Sequence, residues 1–266
     1  MGIIKTKGIV ISESKMGDFD KMVTILTPNG KIGCAAKGAR RPKSLLMAAT
    51  QFFCFGEFLI FKGNNSYNIN SCDTIEIFYN LRTDLDKLNY AVDICKIVDS
   101  VTYENQNTYK ILQLLLNTLY VISETDKNLE LVASVFRIRL LCLLGFMPKI
   151  QKCVNCNNNA DIVFFSVFDD GFKCKNCGRV DKSVISICAT SVDAIRYIIC
   201  APAKKIFSFD LKEEAIKEIS LISKVYLKEK LEMWGKNHSL PTVWKAIFYF
   251  KIIFGVCVIL KKVFLK

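Results

Sequence analysis

Histidine is almost missing from this chain: His238 is the only one in 266 residues, and it stands near the tail without a plausible nucleophile and carboxylate to complete a relay. Histidine-dependent triads therefore have a single candidate and are not expected as the basis of an activity. Glycine is missing where a nucleotide-binding loop would need it. Lys43-Ser44 resembles the end of such a loop, but the required glycine positions hold Lys37 and Pro42, which excludes ATP hydrolysis there. The start, Met1-Gly-Ile-Ile-Lys-Thr-Lys, lacks an apolar run of signal-peptide length, so a cytoplasmic product with reduced thiols is expected. Acidic residues are absent from the whole stretch between Asp20 and Glu57 and again from Trp234 to Lys266.

What is there is apolar and basic. Hydrophobic residues make up 51% of the chain, enough for one large or two modest domains with real cores. The formal net charge is +12. Half of that excess comes from six lysines in the tail, and +4 from residues 1–78, where ten basic residues meet six acidic ones. Thirty of the 37 basic residues are lysine, a usage that AT-rich codons also produce, so the distribution of charge carries more weight than its sum.

The sharpest motif is Cys153-Val-Asn-Cys156 answered by Cys174-Lys-Asn-Cys177. Two such pairs offer four thiolates to one soft divalent ion, which predicts one structural Zn²⁺ per chain, held by Cys153, Cys156, Cys174 and Cys177. Four thiolates fill a tetrahedral shell and leave no position for a catalytic water. Between the pairs, the apolar run 162–168 and the turn Asp169-Asp170-Gly171 read as a short ribbon inserted between helical segments. The other cysteines, at 34, 54, 72, 95, 142, 188, 200 and 257, stand singly among apolar residues and read as core filler.

Before residue 79 the pattern is that of strands: 3–11, 22–26, 31–36, 52–61 and 67–77, with Asn29-Gly30 as a hairpin turn tolerant of positive φ. Five short strands suggest a small closed barrel. The third strand is followed by Lys37-Gly-Ala-Arg-Arg-Pro-Lys-Ser44. Lys21, Lys31, Lys37, Arg40, Arg41 and Lys43 accumulate here with no acid between them, a run that repels itself unless it serves an anion. A phosphate backbone is the natural partner, because Gly38 and Pro42 shape the loop for close approach. A solvated loop without a ligand is the bland alternative.

From residue 80 the apolar period lengthens: Leu81, Leu85, Leu88, Val92, Cys95 and Val98 form a helical stripe. Further helices are expected at 108–122 and 129–144, at 191–199 with Ser191 as N-cap, and from a box formed by Asp210 and Glu213 to Leu231. Arg137 and Arg139 interrupt an apolar helix, where they could receive an acidic peptide or simply be solvated. No set of residues reads as a catalytic constellation, so a non-enzymatic protein is expected.

Taken together, Lys7-Gly-Ile-Val10, Gly17-Asp-Phe-Asp-Lys21, Gly30-Lys-Ile32, Ala36-Lys-Gly-Ala-Arg-Arg-Pro-Lys-Ser44, Leu81-Arg-Thr-Asp-Leu85 and Leu143-Leu-Gly-Phe146 resemble the RecO family of recombination and repair mediators over about residues 1–233. The resemblance implies an α+β protein: an oligonucleotide/oligosaccharide-binding (OB) β-barrel over 1–78, then an all-α domain over 79–233 with a four-Cys zinc ribbon insert at about 149–182. It implies binding and annealing of single- and double-stranded DNA, and, with RecR, help for RecA in displacing single-strand-binding protein, in the cytoplasm at the nucleoid. Phe52, Phe53, Phe55 and Tyr67 are candidates for stacking on bases. A zinc-ribbon adaptor between proteins, such as a transcription-associated factor, is the alternative. The segment 234–266 departs from the family: 243–260 is apolar except for Lys245 and Lys251. It reads as a packed or frame-shifted tail in preference to a membrane anchor, since a central lysine costs roughly 3 kcal/mol on insertion.

Overall fold

The computed structural model describes residues 2–64, 66–181 and 183–237, the last four of these by backbone only. His238, Cys257 and the apolar stretch 243–260 lie outside the described residues.

The N-terminal strands β1 (Gly2–Met16), β2 (Asp20–Thr27), β3 (Gly30–Ala36), β4 (Phe55–Lys62) and β5 (Tyr67–Glu76) form a closed barrel in the order β1-β2-β3-β5-β4, with a one-turn helix α1 (Leu46–Ala49) between β3 and β4. Closure depends on β1 serving two neighbours. Its first half pairs with β4, from Gly2↔Lys62 to Ile9↔Phe55, and its second half with β2, across an irregularity between Val10 and Ser12. Gly8 sits at that crossover because a Cβ there would lie 2.6 Å from Ile25 and 2.8 Å from the Leu26 carbonyl. A short parallel contact, Cys34↔Tyr67 and Ala35↔Asn68, completes the ring.

Inside the barrel, Val10, Val23, Ile25, Cys34, Phe58, Ile60 and Ile69 form their own core, joined by Ala39 and with Leu46 packed against it. The outer face, through Ile9, Ile11, Leu26, Phe53 and Phe78, belongs to a second, larger core shared with the helices. This is why the barrel and the helical part are one packed body. It also corrects the expected role of the aromatic run. Phe53 is buried and takes φ 68°, which removes it from the stacking candidates, while Phe52 and Phe55 are partly buried against the same core.

The hairpin before β3 turns through Pro28 and Asn29, closed by Thr27↔Gly30. Only Gly30 has positive φ, 108°. Its lack of a side chain serves the joint between the two parts: a Cβ there would stand 2.4 Å from the Tyr103 carbonyl. Around it, Gly30 N–H donates to Thr108 Oγ1 (2.9 Å), Lys31 N–H to Tyr103 O (3.1 Å) and Thr108 N–H to Pro28 O (2.9 Å).

The helical part contains α2 (Leu85–Val101), α3 (Tyr109–Glu124) and α4 (Leu129–Leu143). Asp84 caps α2 by accepting from Asp86 and Lys87 N–H, and Asn128 caps α4 by accepting from Leu131 N–H. Of the expected stripe, Leu81, Cys95 and Val98 are buried and Leu88 and Val92 pack against the core, while Leu85, the first residue of α2 after its Asp84 cap, is exposed at 72%. After α4 comes the cysteine ribbon: β6 (Ile162–Ser166), β7 (Gly171–Cys174), α5 (Lys175–Val180) and β8 (Val184–Ser186), a three-stranded sheet in the order β7-β6-β8. The third strand extends the sheet beyond residue 182.

Two last helices, α6 (Ala189–Cys200) and α7 (Glu213–Asn237), pack on α4. Their starts differ from expectation. α6 begins after Cys188, and Ser191 lies inside it, its hydroxyl donating to Glu218 (2.6 Å). Asp210 precedes α7 without capping it and instead receives Lys127 Nζ at 2.8 Å. Of the eight single cysteines, Cys34, Cys54 and Cys95 are buried, Cys72 and Cys142 partly so, while Cys188 and Cys200 are exposed. Core filler therefore describes the buried ones alone.

Arg137 and Arg139 both face inward, which corrects their reading as a docking point. Arg137 donates to Glu130 Oε1 (3.1 Å) and Ser223 Oγ (3.4 Å). Arg139 caps the end of α6 through the Ile198 and Ile199 carbonyls (3.1 and 2.7 Å). Glu130 is the hub of this network, meeting Tyr90 of α2 (2.8 Å) and Ser220 (2.7 Å) and Lys224 (3.0 Å) of α7. Burial alone would raise its carboxyl, but Arg137, Ser220, Lys224 and Tyr90 outweigh that and hold it down to about 2. A pKa depressed on folding stabilises the native state above the ordinary carboxylate value, and the gain is lost as pH falls toward 2. We expect Glu130→Gln to lower stability at pH 7 by roughly 2 kcal/mol by leaving Arg137 without its counter-charge. Urea unfolding should show that difference narrowing as pH drops from 5 to 3.

Candidate nucleic-acid interface and four-cysteine centre

The four thiols meet as their spacing requires. The Sγ atoms of Cys153, Cys156, Cys174 and Cys177 lie within 4.8 Å of one another, and Cys156 and Cys174 are 3.7 Å apart. Four Zn–S bonds of ~2.3 Å in a tetrahedron place sulfurs about 3.8 Å apart. Each half is built locally. Cys153 begins a knuckle in which Asn157 N–H returns to its carbonyl (2.9 Å), with Asn157 at φ 60°. Cys174 precedes α5, whose first turn brings Cys177 back beside it.

Burial pushes the Cys153 thiol up, but N–H groups of Cys156, Cys174 and Asn155 outweigh it and bring it down to about 6. Cys177 is pushed the other way, to about 12, by its contacts with Cys156 and Cys174. Four clustered thiols cannot all ionise without a cation among them, and the donor set suits a soft, tetrahedral one. The cluster is consistent with a zinc site.

The centre is tied into the helical core. Cys153, Cys174, Phe165 and Phe172 belong to the large core, and Tyr226 of α7 meets Phe165 edge-on at 5.5 Å. The two turn acids are structural: Asp169 pairs with buried Lys173 (2.5 Å), which also meets Asp181 (2.6 Å), and Asp170 pairs with buried Lys230 of α7.

The basic loop lies at the opposite kind of place, on the barrel surface. It packs on the β1–β2 turn: Gly38 N–H donates to Asp20 Oδ1 (2.7 Å), Arg40 N–H to Phe19 O (2.8 Å) and Arg40 Nη1 to Gly17 O (3.2 Å). Arg41 rests over the exposed Phe19 ring, 5.3 Å from its centroid. Lys37, Arg41 and Lys43 are exposed and Arg40 half so. The six predicted cations are thereby sorted. Lys37, Arg40, Arg41 and Lys43 share one loop. Lys21 instead pairs with Glu13 (2.7 Å), and Lys31 is committed to the domain joint through Asp99 Oδ1 (2.8 Å) and O (2.6 Å). Tyr67 keeps a half-exposed ring with Lys62 over it at 5.7 Å. Phe19, at 49% exposure, was not singled out by sequence reasoning. Its signal was present: an aromatic in a turn, between two aspartates, has no core to serve.

Among the described residues no helix is long and apolar enough to cross a membrane.

Comparison with known proteins agrees with this architecture. The family model for the N-terminal part of recombination protein O matches residues 1–78, and that for its C-terminal part matches residues 82–239. A DNA repair protein RecO of Acetivibrio thermocellus is 43% identical over 241 residues, covering 90% of this chain and 95% of that protein. One from Alkaliphilus metalliredigens is 33% identical, covering 88% and 96%, and one from a Thermoanaerobacter species 30%, covering 89% and 96%. With the two family models matching residues 1–78 and 82–239 and relatives covered over 95% or more of their length at these identities, the chain belongs to the RecO family of DNA repair proteins.

Proposed function

We propose that this protein is a non-enzymatic mediator of DNA repair and recombination: an OB-type barrel that holds single- and double-stranded DNA by its phosphates, anneals complementary strands, and works with RecR to let RecA replace single-strand-binding protein at the nucleoid. The observation that carries the DNA reading is the cluster of Lys37, Arg40, Arg41 and Lys43 on one ordered loop, with no acid between Asp20 and Glu57 to neutralise it. Family membership supports the repair role, and the strand order β1-β2-β3-β5-β4 supports the OB assignment. The partners follow from the family resemblance. The four cysteines hold one structural zinc in this reading, which fixes the ribbon and takes no part in chemistry.

The phosphate reading predicts a salt dependence. Binding to single-stranded DNA should give a log K that falls linearly with log salt, at a slope near 0.7 for each phosphate neutralised. Four loop cations predict a slope of roughly 3. Fluorescence anisotropy across a salt series measures it, and a flat dependence would remove the DNA reading.

A further inference from the structure

We propose that Leu45 and Met47 form an apolar wedge that packs on unpaired bases of the single strand whose phosphates the neighbouring cations hold. The inference rests on the DNA reading above and adds to it the residues that touch bases.

Leu45 is 94% exposed and Met47 46%, and both follow directly on the basic loop. They are not on a loose segment. Successive turns lock the chain: Arg41 N–H donates to Gly38 O (3.0 Å), Ser44 N–H to Arg41 O (3.1 Å), Met47 N–H to Ser44 O (3.1 Å) and Thr50 N–H to Leu46 O (3.0 Å). Leu46 N–H donates to Ser44 Oγ (3.3 Å). The same turn sends Leu46 and Ala49 inward, Leu46 packing on the barrel core and Ala49 buried. Leu45 and Met47 are therefore held outward on a turn whose Leu46 and Ala49 face inward. A single exposed leucine is ordinary on a protein surface. Here two long apolar side chains stand on a fixed turn within six residues of Arg41 and four of Lys43.

Charge selects the occupant. The loop's own sequence carries cations and no acid, and Asp20, which packs on it, accepts from Gly38 N–H, so the loop favours an occupant that brings negative charge along with an apolar face. A single strand does both: its phosphates meet the guanidinium and ammonium groups, and its unstacked bases offer flat apolar surface. A duplex hides those faces in its stack, so the wedge favours unpaired DNA, where an inserted leucine or methionine stabilises separated bases. Such a device suits annealing, which needs bases held apart from one another yet accessible to a complementary strand.

The test compares an oligothymidylate with an abasic oligomer of equal length, for the full-length protein and for Leu45→Ser/Met47→Ser, across a salt series. The wild type should bind the base-bearing strand about tenfold more tightly, given the area two apolar side chains can cover. The double variant should lose that advantage while keeping its affinity for the abasic strand and its salt slope. Leu45→Phe should preserve the advantage. Both side chains are exposed, so an unchanged thermal midpoint should accompany every variant. A base advantage that survives in the double variant, or is absent from the wild type, overturns the wedge while leaving the phosphate reading intact. So does a variant that binds both strands normally and loses only a protein partner. Absence of any salt-dependent binding in the wild type would instead remove the DNA reading itself.

Discussion

Replacing Cys174 or Cys153 with serine should abolish stoichiometric zinc binding and destabilise the helical part by at least ~4 kcal/mol, the range in which loss of a structural metal falls. The size of the effect follows from where these sulfurs sit. Both are buried and belong to the same core as Phe165, Phe172 and Tyr226, so a ribbon that opens exposes aromatic surface shared with α4 and α7. Without the ion, the remaining thiols must also take up protons to avoid mutual repulsion. Zinc content by atomic absorption and thermal unfolding by circular dichroism check this together. The barrel interior is a separate cluster, so its strand signal should persist after the ribbon has melted. A metal-free protein with wild-type stability would show that hydrogen-bonded thiols alone hold the knuckles. Exposed Cys156 should be the mildest of the four substitutions, since its replacement buries no new polar group.

The second large effect concerns Arg40 and Arg41. Their joint replacement by alanine should weaken binding to every DNA tested by on the order of 10²-fold at low salt, each guanidinium supplying charge-assisted contacts to phosphate oxygens. The salt slope should become shallower by about 1 to 2. Sequence preference should not change, because these groups lie on a loop and hold the backbone without reading base edges. Arg40 also braces the β1–β2 turn through the Gly17 carbonyl, and Arg41 shields Phe19. Arg40→Lys/Arg41→Lys therefore makes a useful companion: it keeps the charge and loses the fork, so it should recover the salt slope with only part of the affinity. Wild-type affinity and slope in the double alanine variant would place the DNA path elsewhere on the barrel, along Lys5, Lys7 and Lys62.

Much of this protein was legible from local pattern. The metal ligand set is readable because each C-x-x-C makes its own knuckle, a geometry confined to four residues that needs no tertiary information. The strands and most helices announce themselves by period, and the basic loop by a charge run that no neighbour in sequence offsets. Helix starts were less secure: Ser191 and Asp210 have capping chemistry, yet tertiary partners, Glu218 and Lys127, take their side chains. Here a long-range hydrogen bond or ion pair replaced the local one.

What only the folded chain decided is which charges and rings remain available. Lys31 and Arg41 look alike in a list of cations, but strand β3 carries Lys31 to Asp99 across the domain joint, while the loop leaves Arg41 in solvent over Phe19. Arg137 looks like a docking point until α7 brings Ser220, Ser223 and Lys224 around its partner Glu130. Phe53 looks like a stacking platform until the barrel's outer face turns it into the shared core. The physical reason is the same each time. A motif held by adjacent residues is encoded where it stands, whereas the free energy of a charge or an aromatic ring depends on what is packed against it, and for this protein those neighbours come from strands and helices tens of residues away.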